Sequence, residues 1–202
     1  MPFVGGGAPP RERADAARNR LKILAAAARL FAERGVGEVS LDAVAAAAGV
    51  GKGTVFRRFG DKAGLAVALL DERERELQQE LLSGPPPLGP GASPTERAGA
   101  FVRAYLAYVL DNRELVLMSE TASVGARFRI GAFRFWHRHL AVLCEQAGYE
   151  PAQASVLAHA LLAPLAAEHL IAQLAAGADP SAVVDGLVRH AELVTDGALS
   201  RP

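Results

Sequence analysis

The chain has 202 residues, half of them hydrophobic, and equal numbers of basic and acidic residues give it a formal net charge of zero. A single cysteine, Cys144, excludes an internal disulfide, so we expect a reducing compartment. No uncharged apolar run is long enough to span a membrane, and residues 1–10 lack the charged start and apolar stretch of a signal peptide. We therefore expect a cytoplasmic protein with no membrane partner.

The two signs of charge are unevenly distributed along the chain. Residues 1–64 carry eleven Lys or Arg against six Asp or Glu, a net charge of +5. Residues 65–202 carry eleven against sixteen, a net charge of −5. This division predicts a nucleic-acid-binding domain joined to an acidic domain that stays away from DNA.

The first predicted elements are an arm and a long helix. Residues 1–12 are rich in glycine and proline and are predicted to be disordered. The basic residues in and after this arm are Arg11, Arg13, Arg18 and Arg20. They either reach the minor groove of DNA or stay solvated, which is the commoner fate of charged tails. A helix is predicted over residues 13–34, closed by Gly35. Its expected packing face comprises Leu21, Leu24, Ala28 and Phe31.

Residues 39–65 have the pattern of two short helices joined by a tight turn. Ser40 is placed to cap the first of them. Its apolar face comprises Leu41, Val44, Ala45 and Ala48. Gly49 ends this helix, because the sharp turn needs a left-handed residue and glycine adopts that conformation without a Cβ penalty. The second helix is predicted from Gly51 to Arg58. This layout is typical of a helix-turn-helix that enters DNA.

The second helix of this pair carries a cluster of positive charge. Val55 and Phe59 are predicted to face inward, which leaves an outer face of Lys52, Thr54, Arg57 and Arg58. Guanidinium groups bond phosphates or guanine edges, lysine neutralises a phosphate, and threonine reaches a phosphate or a thymine methyl. An ordinary helical hairpin with a solvated basic face is the alternative. It does not explain why the charges occur together with the alanines, the glycine turn and the buried valine, so we favour DNA contact.

Residues 23–65 resemble the N-terminal domain of the TetR family of bacterial transcriptional regulators. The matching segments are Leu30–Gly35 (LFAERG), Ala48–Val50 (AGV), Gly53–Phe56 (GTVF), Phe59 and Lys62, in the family's order and spacing. The resemblance implies that the lysine corresponding to Lys62 contacts the DNA backbone. It also places a phosphate-binding tyrosine at the position of Phe56, which has no hydroxyl to donate. The predicted DNA-binding residues are Ser40, Lys52, Thr54, Phe56, Arg57, Arg58 and Lys62.

The predicted fold is all-α, with a three-helix helix-turn-helix domain over residues 13–64 and a larger helical ligand-binding and dimerisation domain over residues 65–202. A fourth helix is expected from Asp61 or Lys62 to about Leu82, followed by a proline-rich loop over residues 84–94. Five further helices are predicted, at about 94–111, 113–124, 126–147, 151–176 and 180–198, from prolines near their starts and glycines past their ends. The resemblance implies that the fourth helix sets the orientation of the recognition helix.

The last two predicted helices are rich in alanine and leucine. Their apolar residues include Leu157, Leu161, Leu165, Leu187 and Val194. The resemblance implies that these helices pair with their copies in a second subunit as a four-helix bundle, which makes those residues dimerisation candidates. The alternative is that the same stripe packs inside one subunit. Pro164 is predicted to kink the first of the two helices and to open space for a ligand.

The ligand site is the least defined of the predicted features. Candidate pocket residues are Tyr105, Tyr108, Met118, Phe133, Trp136, His137 and His169, because aromatic, soft and polar groups commonly line small-molecule pockets. Each of them also fits an ordinary core. His137 and His139 lie two residues apart and so point to different sides of a helix, which argues against a metal-chelating pair. We recognise no catalytic set or cofactor loop, so we predict no enzyme activity, no cofactor and no metal.

The resemblance implies a ligand-responsive repressor that binds a palindromic operator in double-stranded DNA as a homodimer and is released by a small hydrophobic or aromatic effector. Two other functions stay open at this point. One is a ligand-independent architectural DNA binder, which would show little sequence preference. The other is a helical small-molecule-binding module with a vestigial DNA domain, which the +5 and −5 division disfavours.

Overall fold

The computed structural model describes the backbone of residues 10–196 and the side chains of residues 15–196. Residues 1–9 of the predicted arm over 1–12, and the last residues of the final predicted helix, lie outside this range. Within it there are eleven α-helices and no strand, which confirms the all-α prediction. They are α1 (Pro10–Arg34), α2 (Leu41–Ala48), α3 (Lys52–Phe59), α4 (Lys62–Ser83), α5 (Pro94–Asp111), α6 (Arg113–Thr121), α7 (Ala126–Arg129), α8 (Gly131–Gln146), α9 (Pro151–Leu162), α10 (Ala167–Ala175) and α11 (Pro180–Asp196).

The chain divides into two compact units between Leu69 and Leu70. This division falls inside α4, a little beyond the predicted domain boundary at residue 64. The first unit contains α1, α2, α3 and the start of α4, and the second contains the rest of the chain. Each unit has its own hydrophobic core, as independently packed domains require.

In the first unit, α1 packs on α2, and α2 packs on α3. The buried face of α1 comprises Ile23, Ala26, Ala27, Leu30 and Phe31. Our prediction of this face is confirmed for Phe31 and wrong for Leu21, which is 67% exposed, and for Ala28, which is exposed; Leu24 is half-buried. Residues 21–31 of α1 contain only two charged residues, Lys22 and Arg29. Helical spacing alone therefore fits more than one apolar face, and only the contact with α2 shows which face is buried.

The second unit is built around α5, which packs against α8 and α11, while α9 packs on α8 and α10 on α6. Helix α5 begins with a capping box: Ser93 accepts a hydrogen bond from the Glu96 amide, and the Glu96 side chain accepts one from the Ser93 amide. The proline before Glu96 needs no amide partner at this position. These local signals explain why the predicted start of this helix at residue 94 is confirmed.

Two of the predicted long helices are interrupted. The predicted helix over 126–147 is divided into α7 and α8 by Ile130, whose backbone is extended. The predicted helix over 151–176 is divided into α9 and α10 by a 3-10 turn, Ala163–Leu165, that contains Pro164. The kink predicted at Pro164 is confirmed: the two helices meet at a bend of 41°. Its cause is that proline lacks an amide hydrogen and clashes with the preceding turn.

Among the residues that the structure describes, no single helix has the length and apolar composition to cross a membrane. The bent pair formed by Pro151–Leu165 and Ala167–Ala175 passes that test together, by length and composition only.

Candidate nucleic-acid interface and ligand cavity

The turn between α2 and α3 has the predicted geometry. The hydroxyl oxygen of Ser40 accepts a hydrogen bond of 3.1 Å from the Ala43 amide and caps α2. Gly49 adopts the left-handed conformation, with φ of 65°, that ends the helix. The amide of Val50 then donates back to the carbonyl of Ala45 at 3.0 Å, which fixes the direction in which α3 leaves.

Helix α3 presents one apolar face and one basic face. Val55 and Phe59 are buried in the first unit, as predicted. Lys52 and Arg57 are exposed, and Thr54 is half-buried. Phe56 lies on the outer side with 63% of its surface exposed, although an aromatic side chain usually gains free energy from burial. An exposed ring between basic side chains is a surface suited to a binding partner.

The basic side chains differ in how they are held. Lys52 pairs with Asp42 at 2.8 Å on the protein surface. The Nε of Arg57 donates to the carbonyl of Gly53 within its own helix, at 3.1 Å, which holds the start of the side chain against α3. Arg58 instead donates to the carbonyl of Ala16 on α1. Arg58 therefore joins two helices of the unit, a structural role that the sequence did not reveal.

Lys62 also has a structural partner. Its ammonium donates to the carbonyls of Val36 and Gly37, both at 2.8 Å, in the loop that follows α1. An ammonium group has three donors, so one further hydrogen bond to a phosphate is compatible with these two. Two predicted DNA-contacting cations, Arg58 and Lys62, thus also stabilise the unit that carries them.

Glycines leave part of the α3 surface flat. Apart from the adjacent residues and the backbone of the helix itself, no atom lies within 4 Å of the position that a Cβ would take at Gly51 or Gly53. Gly51 supplies no side-chain cap to α3. Because neither site is crowded from inside the protein, packing within the unit does not explain the glycine at position 53. A surface without side chains allows another molecule to approach the backbone closely.

The basic residues that follow the predicted arm are only partly described. The side chains of Arg11 and Arg13 lie outside the described residues. Arg18 pairs with Asp15 at 3.1 Å in an exposed i,i+3 pair. The guanidinium of Arg20 lies over the ring of Phe59, 5.6 Å from its centre. Helix α1 begins at Pro10, three residues before its predicted start, so residues 10–12 belong to a helix and not to a disordered arm.

Four of the seven predicted ligand residues lie around one cavity in the second unit. They are Tyr105, Tyr108, Phe133 and Trp136. The ring of Tyr105 lies 5.9 Å from the rings of both Tyr108 and Trp136. The cavity itself is small, about 20 Å³, which is room for roughly one water molecule. A ligand of ordinary size therefore needs the surrounding helices or side chains to move apart.

The polar lining of this cavity was missed by sequence analysis. It comprises Glu74, Ser119, Glu120 and Arg127. Arg127 and Glu120 form a buried ion pair with an N–O distance of 3.0 Å. The two lie seven positions apart in the sequence, across the end of α6 and the turn into α7, so helical spacing does not bring them together. Only the folded chain shows that they meet.

This ion pair also satisfies the backbone where Pro164 breaks the helix. Arg127 donates to the carbonyl of Leu162 at 2.8 Å, and Glu120 accepts from the amide of Ala167 at 2.9 Å. A helix break leaves carbonyl and amide groups without helical partners, and leaving such groups buried and unpaired is costly. The pair therefore joins α6 and α7 to both sides of the break.

Burial shifts the titration of the polar groups around the cavity. It raises the pKa of Glu74, a shift that the hydrogen bond from Tyr108 to Glu74 at 2.9 Å opposes. Burial likewise raises the pKa of Glu120, against the opposing charge of Arg127. It also raises the pKa of the Tyr105 and Tyr108 hydroxyls, so both remain neutral hydrogen-bonding groups near neutral pH.

The other three predicted ligand residues do not line this cavity. Met118 is half-buried on α6, and His169 is exposed on α10. His137 bonds through Nε2 to the carbonyl of Ser155 at 3.0 Å, and its ring lies 4.1 Å from that of His159. These predictions relied on residue type, whereas the direction of each side chain depends on its helix face, which for these three is turned away from the cavity.

The five dimerisation candidates fall into two groups. Leu161 and Leu165 are buried in the core of the second unit, so they cannot contact another subunit, and their prediction was wrong. Leu157, Leu187 and Val194 are half-buried and pack against the same core. The large apolar side chains that α9 and α11 leave exposed are instead Val156, with 68% of its surface accessible, and Leu193, with 53%. The spacing of apolar residues in the sequence identified these helices as apolar. It did not show which of their faces is buried within the same subunit and which is left exposed.

The sequence predicted no metal site. Among the described residues, no group of three or more His, Cys, Asp or Glu side chains is arranged to hold a metal ion.

Comparisons with known proteins agree with the geometry of the first unit. Residues 23–69 match the family model described as bacterial regulatory proteins, tetR family. An HTH-type transcriptional regulator of Staphylococcus aureus is 30% identical over 121 residues, which are 60% of this chain and 64% of the relative. The HTH-type transcriptional repressor BepR of Brucella suis is 38% identical over 72 residues, which are 36% of this chain and 34% of BepR. The chain thus spans less than two thirds of the length of either relative.

The likeness to solved structures extends over both units. The crystal structure of a TetR-family transcriptional regulator from Pectobacterium atrosepticum aligns with a TM-score of 0.67 and 26% sequence identity. The alignment covers 94% of this chain and 98% of that one. The shared architecture therefore includes the larger helical unit as well as the helix-turn-helix.

Proposed function

We propose that the chain is a member of the TetR family of bacterial transcriptional regulators, which are not enzymes, and that it acts as a DNA-binding repressor. In this proposal it binds a palindromic operator as a homodimer and is released by a small-molecule effector. The observation that carries the proposal is the outer face of α3, where Lys52 and Arg57 flank the exposed ring of Phe56.

The features of α3 match what a recognition helix needs. Its inner face is anchored by Val55 and Phe59, so the outer face has a fixed orientation. Arg57 supplies a planar donor group for guanine edges or phosphates, and Lys52 supplies a compact charge for a phosphate. The open surface at Gly53 allows the helix to approach the DNA backbone closely. The net charge of +5 on residues 1–64 adds attraction for DNA of any sequence.

Dimerisation in this proposal uses the exposed faces of α9 and α11. Val156 and Leu193 are large apolar residues that their own subunit leaves exposed. At Gly186 on α11 no atom lies within 4 Å of the position of a Cβ, so a second helix can approach the backbone there. Two-fold symmetry would place two copies of α3 at half-sites about 34–36 Å apart, or a multiple of that distance.

Effector response is proposed to pass through α4. This one helix contains Lys62, which bonds the loop after α1, and Glu74, which lines the cavity. An effector that binds better to a conformer with the wrong spacing of α3 shifts the population away from the DNA-binding form. Because the coupling is reciprocal, operator DNA must weaken effector binding by the same factor.

The DNA-binding part is tested by a charge-matched pair of variants. Arg57→Ala removes a proposed base or phosphate contact and is expected to weaken binding to the upstream DNA by about 1–3 kcal/mol. Arg134→Ala removes the same charge from an exposed position on α8 and should leave affinity unchanged. Fluorescence anisotropy with a labelled duplex measures both. Equal affinities for the two variants would contradict the assignment of α3 as the recognition helix.

A further inference from the structure

The cavity in the second unit carries information about the chemistry of the proposed effector, and the inference below rests on the proposed function. Its walls include the rings of Tyr105, Tyr108, Phe133 and Trp136. Aromatic faces attract flat apolar groups, and they attract cations through the negative charge of the ring face. The rings alone do not decide between a neutral and a charged ligand.

The carboxylates that line the cavity favour a positively charged ligand over a neutral one. Glu120 is neutralised by the guanidinium of Arg127 at 3.0 Å. Glu74 accepts a hydrogen bond from Tyr108, and within the described residues it forms no ion pair within 4 Å. The cavity therefore holds one carboxylate, that of the half-buried Glu74, in excess of its cations. A carboxylate that is partly removed from water and has no counter-charge is costly, so a cationic ligand gains free energy by supplying that charge.

A groove on the protein surface shares one residue with this cavity, and that residue is Tyr108. The groove has a volume of about 500 Å³, within the usual range for small-molecule sites. Its charged lining consists of Arg73, Glu76, Glu80 and Asp111. Arg73 is paired with Glu76 at 3.2 Å, so Glu80 and Asp111 leave the groove with excess negative charge. A cation is attracted towards Tyr108 from outside as well as from the cavity.

We propose that the effector is an aromatic organic cation that reaches the cavity from this groove, displaces the Tyr108 hydroxyl from Glu74, and pairs its own positive charge with the Glu74 carboxylate. Movement of the Tyr108 ring joins the small cavity to the groove and provides the missing volume. The ligand then lies against Trp136 and Tyr105, whose rings stabilise its charge. Since Glu74 is part of α4, occupation of the site acts directly on that helix.

The test uses Trp136, which lines the cavity and is the only tryptophan in the chain. The full-length protein is titrated with tetraphenylphosphonium, an aromatic cation, and with tetraphenylborate, an anion of the same shape. Quenching of the tryptophan fluorescence reports binding near Trp136. The cation is expected to bind at least about tenfold more tightly than the anion. This comparison needs no variant, so it does not depend on how well a variant folds.

Two variants locate the charge that the cation recognises. Glu74→Gln keeps the shape of the side chain and removes its charge, and is expected to weaken cation binding by about tenfold or more. Glu72→Gln removes an equal charge from an exposed position on the same helix, outside both the cavity and the groove, and should change cation binding less than about twofold. Equal affinity of cation and anion, or equal effects of the two variants, would overturn the proposal.

Operator binding by the same wild-type preparation separates this proposal from the proposed function. If the protein binds its operator, and tetraphenylphosphonium neither quenches Trp136 nor releases the DNA, the cation proposal is wrong and the proposed repressor function is retained. If no DNA binding occurs while the cation binds with dependence on Glu74, the repressor proposal is wrong and the cation site stands. Release of the operator by the cation and not by the anion would support both.

Discussion

Gly53 is the residue at which folding and DNA binding make opposite demands. Its Cβ position is open in the protein, and alanine is the better helix former. Gly53→Ala should therefore leave the free energy of unfolding unchanged or raise it by up to about 1 kcal/mol. The added methyl group stands on the surface that α3 presents to DNA, so affinity for the operator should fall about tenfold. Denaturant titration and fluorescence anisotropy measure the two quantities, and unchanged affinity would contradict a close approach of the DNA backbone at this residue.

Phe56 tests a single proposed phosphate contact. Phe56→Tyr adds a hydroxyl to a ring that is already exposed, so it introduces no desolvation cost in the free protein. If a phosphate lies where the family resemblance places it, the new hydrogen bond should tighten DNA binding by about 0.5–1.5 kcal/mol. Anisotropy titration of the two proteins on one duplex measures the difference. An affinity equal to that of wild type would show that no phosphate lies within reach.

For single residues, the sequence predicted which side chains of α3 are buried or exposed better than it predicted their hydrogen-bond partners. The burial of Val55 and Phe59 and the exposure of Arg57 follow from helical spacing within eight residues, and these predictions are confirmed. The bond from Arg58 to Ala16 and those from Lys62 to the loop after α1 join residues far apart in sequence. No local pattern encodes such pairs, because they depend on how the helices pack.

Among the contacts between helices, the buried ion pair of Glu120 and Arg127 gives the clearest prediction of a change in stability. Arg127→Ala leaves the Glu120 carboxylate buried without its partner and removes a donor from the carbonyl of Leu162, so it should destabilise the protein by about 3–5 kcal/mol. Adding Glu120→Gln should recover part of this loss, because it removes the unpaired charge. Denaturant unfolding measures each variant.

The matched control for that pair is the exposed pair of Arg103 and Asp185, with an N–O distance of 3.3 Å. Arg103→Ala should cost less than about 1 kcal/mol, because solvent already screens the two charges. If Arg127→Ala destabilised the protein no more than Arg103→Ala does, the buried pair would not be what holds the helix break together.

Helix boundaries were predictable where a local signal marks them. Ser40 and Gly49 bracket α2, and the capping box at Ser93 starts α5, so these boundaries lie where the sequence placed them. The break at Ile130 is followed by Gly131, but it contains no proline and no left-handed residue, and α7 and α8 were therefore merged into one predicted helix. The effect of Pro164 was foreseen, but the ion pair that completes this break was not.

At the scale of the whole molecule, the proposed dimer predicts which surface substitutions separate the subunits. Val156→Glu together with Leu193→Glu places charges on the exposed apolar positions of α9 and α11, and should convert a dimer to a monomer. Val124→Glu, at an almost fully exposed position between α6 and α7, is the matched control and should leave the dimer intact. Analytical ultracentrifugation distinguishes the two states. A dimer that survives the double substitution would place the interface elsewhere.

The proposed assignment of DNA binding to the first unit rests on signals that the sequence alone contains. The uneven distribution of charge and the helix-turn-helix pattern both occur within the first third of the chain, where short-range signals are strong. The cavity is different, because Glu74, Tyr108 and Arg127 come from three separate helices. Residue type alone identified its aromatic walls, and only the packing of those helices brought its charged groups together.

The most direct test of the central claim is a titration of the full-length protein against its own upstream DNA and a scrambled duplex of equal length, at two salt concentrations, by fluorescence anisotropy. We expect preferential binding of the upstream duplex, with two subunits per site, and a preference that persists at the higher salt concentration. Equal binding to both duplexes that declines together as salt rises would contradict sequence-specific repression and favour an architectural DNA binder.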